Sequence, residues 1–160
     1  MSNQPFFVQR WYYAALALAL LAFCPRPSRA QLVVDCTGAT PGAFTSINPA
    51  LGASGPGTAI FVVAGPCNEN LQLAGWTDLF IGTYYGYPNV AINGGIGVAE
   101  SHGVYFHGLN ITNPAVIGIN LNQSQALILD SCNVNGNAAN GLELDSASEA
   151  LVTHHFQLRP

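Results

Sequence analysis

Residues 96–114, IGVAESHGVYFHGLNITNP, and residues 119–137, INLNQSQALILDSCNVNGN, stand twenty-three positions apart and repeat one pattern. Ile96, Val98, Val104, Phe106, Leu109 and Ile111 fall on Ile119, Leu121, Leu127, Leu129, Cys132 and Val134, so every apolar position meets an apolar partner. Within each copy these residues form three short groups that alternate with polar ones, the period of half-buried strands and not of helices. The intervening turns are too tight for hairpins. Such copies bury their inward residues only by stacking, each strand parallel to its equivalent in the next copy and about 4.8 Å away. The expected fold is all-β, a right-handed parallel β-helix solenoid with a repeat of about twenty-three residues.

The frame extends both ways. Forward, Leu142 and Leu144 fall under Ile119 and Leu121; one inserted residue then sets Leu151 under Leu127, Phe156 under Cys132 and Leu158 under Val134. Backward, Leu71, Leu73, Leu79, Ile81, Val90 and Ile92 supply another coil, with a longer turn, GTYYGYP, before its third strand. About four coils result, and the last is expected to break off unfinished near Pro160.

Three regions are expected. Residues 1–30 read as a secretory signal peptide: a basic Arg10, an apolar run YYAALALALLAF too short to span a bilayer, and small residues Ser28 and Ala30 before the cleavage point. Cys24 follows the bulky Phe23, which fits poorly with lipoprotein-type processing. Residues 31–57 read as an N-terminal cap in which Phe44, Ile47 and Leu51 share one face of a short helix, with Thr45 or Ser46 as N-cap and Pro49 early enough to be tolerated. A solenoid needs such an end, because its first coil otherwise exposes a row of unpaired backbone groups. Residues 58–160 form the β-helix.

Without the signal segment, eight acids face a single strong base, Arg159, a net charge of −7. Nucleic acid is excluded as a natural partner, because phosphate binding needs clustered Lys or Arg. An exported chain can form disulfides, and Cys36 and Cys67 bracket the N-terminal segment and are expected to pair. Cys132, between apolar neighbours in LILDSCNV, reads as a buried thiol. The expected location is extracellular, periplasmic or at the cell surface. Asn110-Ile-Thr and Asn122-Gln-Ser match glycosylation acceptors, at the rate chance gives in an Asn-rich chain.

The order DCTGATPGAFTSINPAL, IFVVAGPCNENLQL and then GINLNQSQALILDSCNVNGNAANGLEL resembles secreted bacterial proteins of the pectin-lyase-like, right-handed β-helix superfamily over residues 33–158. The resemblance implies architecture more than activity, since the superfamily holds lyases, hydrolases, esterases, epimerases and non-catalytic surface proteins. Its polysaccharide-cleaving members place their chemistry on the outward face of the first strand of each coil. Here that face reads Gln72, Gly97, Asn120, Glu143 in one column and Ala74, Ala99, Asn122, Asp145 in the next.

Glu143 and Asp145 flank Leu144 and are expected roughly 6 to 7 Å apart, a spacing open to acid–base glycoside hydrolysis or to Ca²⁺. Two features weigh against catalysis. The family's lyases use Arg or Lys as base and clamp, and only Arg159 remains; of its hydrolase motifs, Ser101-His102-Gly103 is the nearest and a poor match. A chain of net charge −7 would also repel polyuronates unless Ca²⁺ bridged them. No cofactor is otherwise expected, and no metal site. His107, Asp130 and His154 are expected to stack as a turn ladder after the second strand, with His155 facing elsewhere. Phe80, Tyr105, Ile128 and Val152 form an outward apolar stripe, which implies cover by the GTYYGYPNV loop, a partner, or a different register of the strands. Trp76, Tyr84, Tyr85 and Tyr87 are candidates for stacking on sugar rings beside Gln72, Asn120 and Asn122.

The expectation is a non-catalytic carbohydrate-binding or structural module outside the cell. The alternatives are a polysaccharide lyase or glycoside hydrolase, or the N-terminal part of one, and a self-associating adhesin-like element joined through the open last coil or the apolar stripe.

Overall fold

The structure, a computed structural model, describes residues 30–113, 115, 117–146, 148–153 and 157–158. The expected signal peptide, apart from Ala30, and the residues His154, His155 and Phe156 lie outside the described residues. Strand β1 (Gln31–Asp35), helix α1 (Ile47–Gly52) and strand β2 (Ala59–Ala64) open the chain. Four rounds of three strands follow: β3 (Leu71–Ala74), β4 (Phe80–Gly82) and β5 (Val90–Asn93); β6 (Ile96–Ala99), β7 (Tyr105–His107) and β8 (Leu109–Thr112); β9 (Ile119–Asn122), β10 (Leu127–Asp130) and β11 (Asn133–Val134); β12 (Leu142–Asp145), β13 (Ala150–Thr153) and β14 (Gln157–Leu158).

The first strands of the rounds make one parallel sheet, β3-β6-β9-β12, and the third strands another, β5-β8-β11-β14. The second strands form the longest, in the order β1-β2-β4-β7-β10-β13. This is the all-β parallel solenoid of about four turns that the repeat predicts. The central register is the one read from the side chains: Ile96 pairs with Ile119, Val98 with Leu121, Phe106 with Leu129 and Ile111 with Val134. Those inward residues are almost wholly buried and form one continuous core from Val34 and Ile47 to Val134.

The last round departs from the expected register. No residue is inserted ahead of β13; Ala150 lies under Leu127, Leu151 under Ile128 and Val152 under Leu129. Leu151 is therefore outward, 56% exposed, and Ala150 takes its place under Leu127 against the core, while Val152, under Leu129, is 39% exposed. The extra residue enters only after Thr153, where Gln157 pairs with Asn133. Matching apolar side chains favoured Leu151 over Ala150 as the inward residue, whereas the parallel backbone ladder, unbroken from Leu127 to Asp130, sets the pairing.

The corners have their own repeat. Gly75, Glu100, Gln123 and Ser146 all adopt the left-handed conformation, with φ of 70°, 49°, 48° and 51°, and three residues on Asp78, Gly103 and Ala126 do so again. In the first three bends two left-handed residues bracket the turn from the first sheet to the second, whatever their side chains. Inside the bend runs a serine ladder. Ser101 Oγ accepts from Trp76 N (3.0 Å), Ser124 Oγ from Ser101 N (3.2 Å) and Ser148 Oγ from Ser124 N (3.2 Å). Each hydroxyl also donates to a carbonyl of its own strand end: Ala99, Asn122 and Asp145. Buried backbone N–H groups at the bend are thus satisfied rung by rung.

At the N-terminal end β1 pairs with β2, and α1 seals the core with Ile47, Ala50 and Leu51. Phe44 is not on the helix as expected; it bridges to Val34 in an extended segment before it. Ser46 is the N-cap residue but makes no side-chain cap bond. The Glu69 carboxylate does the capping, accepting from Ile47 N (2.7 Å), Asn48 N (2.9 Å), Ser46 Oγ (2.6 Å) and Asn48 Nδ2 (2.7 Å). Two residues away, Cys67 forms the disulfide with Cys36 that closes a separation of 31 residues. On the chain-entropy model a loop of that length contributes about 3 to 4 kcal/mol. The bond fits an oxidising environment.

Candidate functional site

Two faces of the solenoid carry the residues expected to act. On the outer face of the first sheet, strand pairing brings Gln72, Gly97, Asn120 and Glu143 into one column and Ala74, Ala99, Asn122 and Asp145 into the next, as the repeat requires. A groove of about 330 Å³ opens there. Its floor is Gly95 and Gly97, where the missing side chains leave room, and its walls carry four amides: Asn70, Gln72, Asn113 and Asn120. Two of these are braced by the backbone: Asn70 Oδ1 accepts from Gly95 N (2.8 Å) and Asn113 Nδ2 donates to Ile117 O (2.9 Å). The Gln72 side chain lies over Gly97, and a Cβ there would meet Gln72 Oε1 at 2.5 Å.

Glu143 and Asp145 sit one round further along and do not line this groove. Glu143 accepts from Asn140 Nδ2 (3.2 Å) and Asp145 from Ser146 Oγ (3.2 Å), each a local bond on an open strand face. Asn122 is likewise exposed beyond the groove. Trp76 does not offer a free platform, because it packs partly buried against the core at the bend.

The outer face of the second sheet is built differently. Residues 83–89 fold back across it, so that Tyr84 stacks on Phe61 (4.3 Å, 6°) and Tyr85 packs on His107 (4.1 Å). Tyr87 leans on Tyr84 at 5.9 Å and is otherwise exposed. The loop thus covers part of the apolar stripe. The stripe itself is Phe80, Tyr105, Ile128 and Leu151, since the register of β13 puts Leu151 and not Val152 in line.

Under the loop lies a polar cluster. Asp130 Oδ2 accepts from the Tyr105 hydroxyl (2.9 Å) and from His107 Nδ1 (3.1 Å), while Oδ1 accepts from Thr153 Oγ1 (3.2 Å). The Tyr85 hydroxyl reaches Tyr105 at 2.9 Å. With Tyr105 donating to Asp130, Tyr85 donates to Tyr105, and a chain of three groups runs inward from the surface. Burial, then the Tyr85 and Asp130 contacts, hold the Tyr105 phenol well above its ordinary ionisation range. His107 and Asp130 are on adjacent rungs, as expected of a turn ladder. On the next strand Asp130 pairs with Thr153; His154, the expected third member, lies outside the described residues. Gly82 occupies the rung before His107; a Cβ there would collide with the His107 backbone, so only glycine lets the two strands approach so closely at this rung.

Beside this cluster a cleft of about 500 Å³ runs along the second sheet, walled by Phe61, Phe80, Tyr85 and Tyr105 with Gln31 and Asp78 at its edges. Phe61, Asp78, Asn70 and Asn113 were not among the residues singled out from the sequence. Asn70 and Asn113 flank the strand columns in bends whose side-chain direction no period predicts, and Phe61 joins the aromatic wall only because β1 and β2 extend the second sheet past the repeat.

Near the cap, Cys36, Cys67 and Glu69 bring their ligand atoms within 4.8 Å of one another. Both sulfurs are joined in the disulfide and the carboxylate is committed to α1, so the cluster is structural. Cys132 is buried with its Sγ 3.4 Å from Asp130 O, and burial pushes the thiol up to about 11.

No family model, no curated protein and no solved structure matches the chain.

Proposed function

We propose that the chain is an extracellular, non-catalytic carbohydrate-binding module of the pectin-lyase-like kind, and that it holds a neutral saccharide on the outer face of its first sheet. The observation that carries this reading is the groove of four amides over a two-glycine floor. Amide side chains offer both donors and acceptors, the pairing that sugar hydroxyls need, and they carry no charge. The described residues include no lysine or arginine, so a uronate carboxylate would find no guanidinium or ammonium partner among them. Gln72 and Asn120, two rungs apart with Gly97 between them, make the contacts; Asn70 and Asn113, tied to the backbone, shape the walls.

The reading as a lyase or hydrolase has less support. Glu143 is half-buried and Asp145 exposed on their strand, whereas acid–base pairs that cleave glycosides work in sites that set their two ionisation states apart.

The test is retention on a panel of neutral and uronate-containing polysaccharides, with and without Ca²⁺, read together with reducing-end and unsaturated-product assays. The module reading expects retention of a neutral polymer without turnover, weakened at least about tenfold when Gln72→Ala and Asn120→Ala are combined and unaltered by Glu143→Gln. Turnover that Glu143→Gln or Asp145→Asn abolishes would make the chain an enzyme instead.

A further inference from the structure

The cleft on the second sheet differs in chemistry from the amide groove. Its walls are aromatic: Phe61 and Phe80 have ring centroids 5.2 Å apart and planes 46° apart, and Phe80 and Tyr105 stand at 5.3 Å and 90°. The rings are thus turned against one another and do not make a flat platform, and Tyr84 covers one face of Phe61. Tyr85, carried by the loop over the sheet, closes a further side and is held there by His107 and by the Tyr105 hydroxyl. The cleft volume, about 500 Å³, lies in the range of small-molecule sites.

We infer that this cleft binds a small organic cation of the quaternary-ammonium type. Aromatic faces are negative at the centre of the ring, and a cation within about 6 Å of several such faces is held by all of them. Asp78, exposed at the edge of the cleft, adds a full negative charge, and no lysine or arginine of the described residues offsets it. Behind the wall, Asp130 accepts the Tyr105 hydroxyl proton in a hydrogen bond, which pushes electron density onto that ring. A sugar is a poorer match, because the two hydroxyls in the wall, Tyr85 and Tyr105, already bond each other and Asp130. Away from Gln31 and Asp78 at the edges, its own hydroxyls would lose water without replacement. Of the three N–H donors of a primary ammonium, only those that reach Asp78 or Gln31 at the edges find an acceptor. A quaternary ammonium has no hydrogen to satisfy.

The experiment is calorimetric or NMR titration of the folded chain with choline and tetramethylammonium, against 3,3-dimethylbutan-1-ol, the neutral carbon isostere of choline, and against glucose. Choline is expected to bind at least about tenfold more tightly than its isostere, with shifts confined to Phe61, Phe80, Tyr85 and Tyr105. Phe80→Leu, which removes one face, should weaken choline about tenfold; Asp78→Asn, an exposed change that leaves the core untouched, should weaken it several-fold even if the first variant folds poorly. Equal affinity for the isostere, preference for glucose, absence of choline binding, or binding indifferent to both substitutions would each overturn the assignment. The outcome is separable from the saccharide reading, since Phe80 lies on a different sheet from Gln72 and Asn120 and Asp78 lies in the bend that precedes it.

Discussion

Glu69, in the segment between β2 and β3, accepts a hydrogen bond of 2.7 Å from the backbone N–H of Ile47, the first residue of α1, although 22 residues separate them. The cap of the solenoid is thus fastened by a carboxylate from the first coil and not by the helix's own N-cap side chain. Replacing Glu69 with Ala leaves the N–H groups of Ile47 and Asn48 without that acceptor and takes its partner from Ser46. The expected loss is about 1 to 3 kcal/mol, read as a lower urea midpoint with unchanged slope. A midpoint equal to that of the unaltered protein would show that water replaces the carboxylate at no cost.

Asp35 supplies the acid-sensitive part of the same end. Bonds from Thr37 and Thr40 hold its carboxyl well below the usual carboxylate range: Thr37 Oγ1 at 2.6 Å, Thr37 N at 2.9 Å and Thr40 N at 2.8 Å. The folded state therefore favours the ionised form more than the unfolded state does. The resulting stability is present above the unfolded value of about 4 and is lost as pH falls below it toward the depressed folded value. Asp35→Asn should be less stable than the unaltered chain at pH 7, and the difference should narrow as denaturant midpoints are taken below pH 4. A difference that stays constant from pH 7 to pH 2 would refute the assignment.

Tyr105 should set the behaviour in alkali. Its phenol is raised in the folded state, first by burial and then by Tyr85 and Asp130, whereas an unfolded tyrosine ionises near 10. Stability is accordingly full below about pH 10 and declines as pH rises beyond it, because only the unfolded chain releases the proton. Ultraviolet titration of the folded protein should leave one described tyrosine un-ionised where the others have titrated, and Tyr105→Phe should remove that residue from the count and flatten the alkaline decline.

Ser124 is the central rung of the bend ladder. Its hydroxyl accepts from Ser101 N and donates to Asn122 O at 2.9 Å, within a site only 1% exposed. Ser124→Ala removes the acceptor and strands a buried N–H, at an expected cost of about 1 to 3 kcal/mol. Amide exchange at Ser101 should accelerate more than exchange in the third sheet; uniform acceleration would mean that the ladder has no local role.

The sequence by itself determined the repeat, the three strands in each coil and the columns that face inward, because burial in a stacked solenoid imposes a side-chain requirement at every rung and leaves a periodic trace. It also contained the columns Gln72–Asn120 and His107–Asp130, since outward positions inherit the same period. Only the tertiary structure decided the bends, where the serine ladder and the left-handed residues satisfy backbone geometry that tolerates Gly, Glu, Gln or Ser alike. It decided the register of β13, where backbone pairing outweighs the choice between Ala150 and Leu151, and with it the place of Thr153 beneath Asp130. It also decided the aromatic cleft, because the loop at 83–89 falls outside the period and its tyrosines find their partners across strands and not along them.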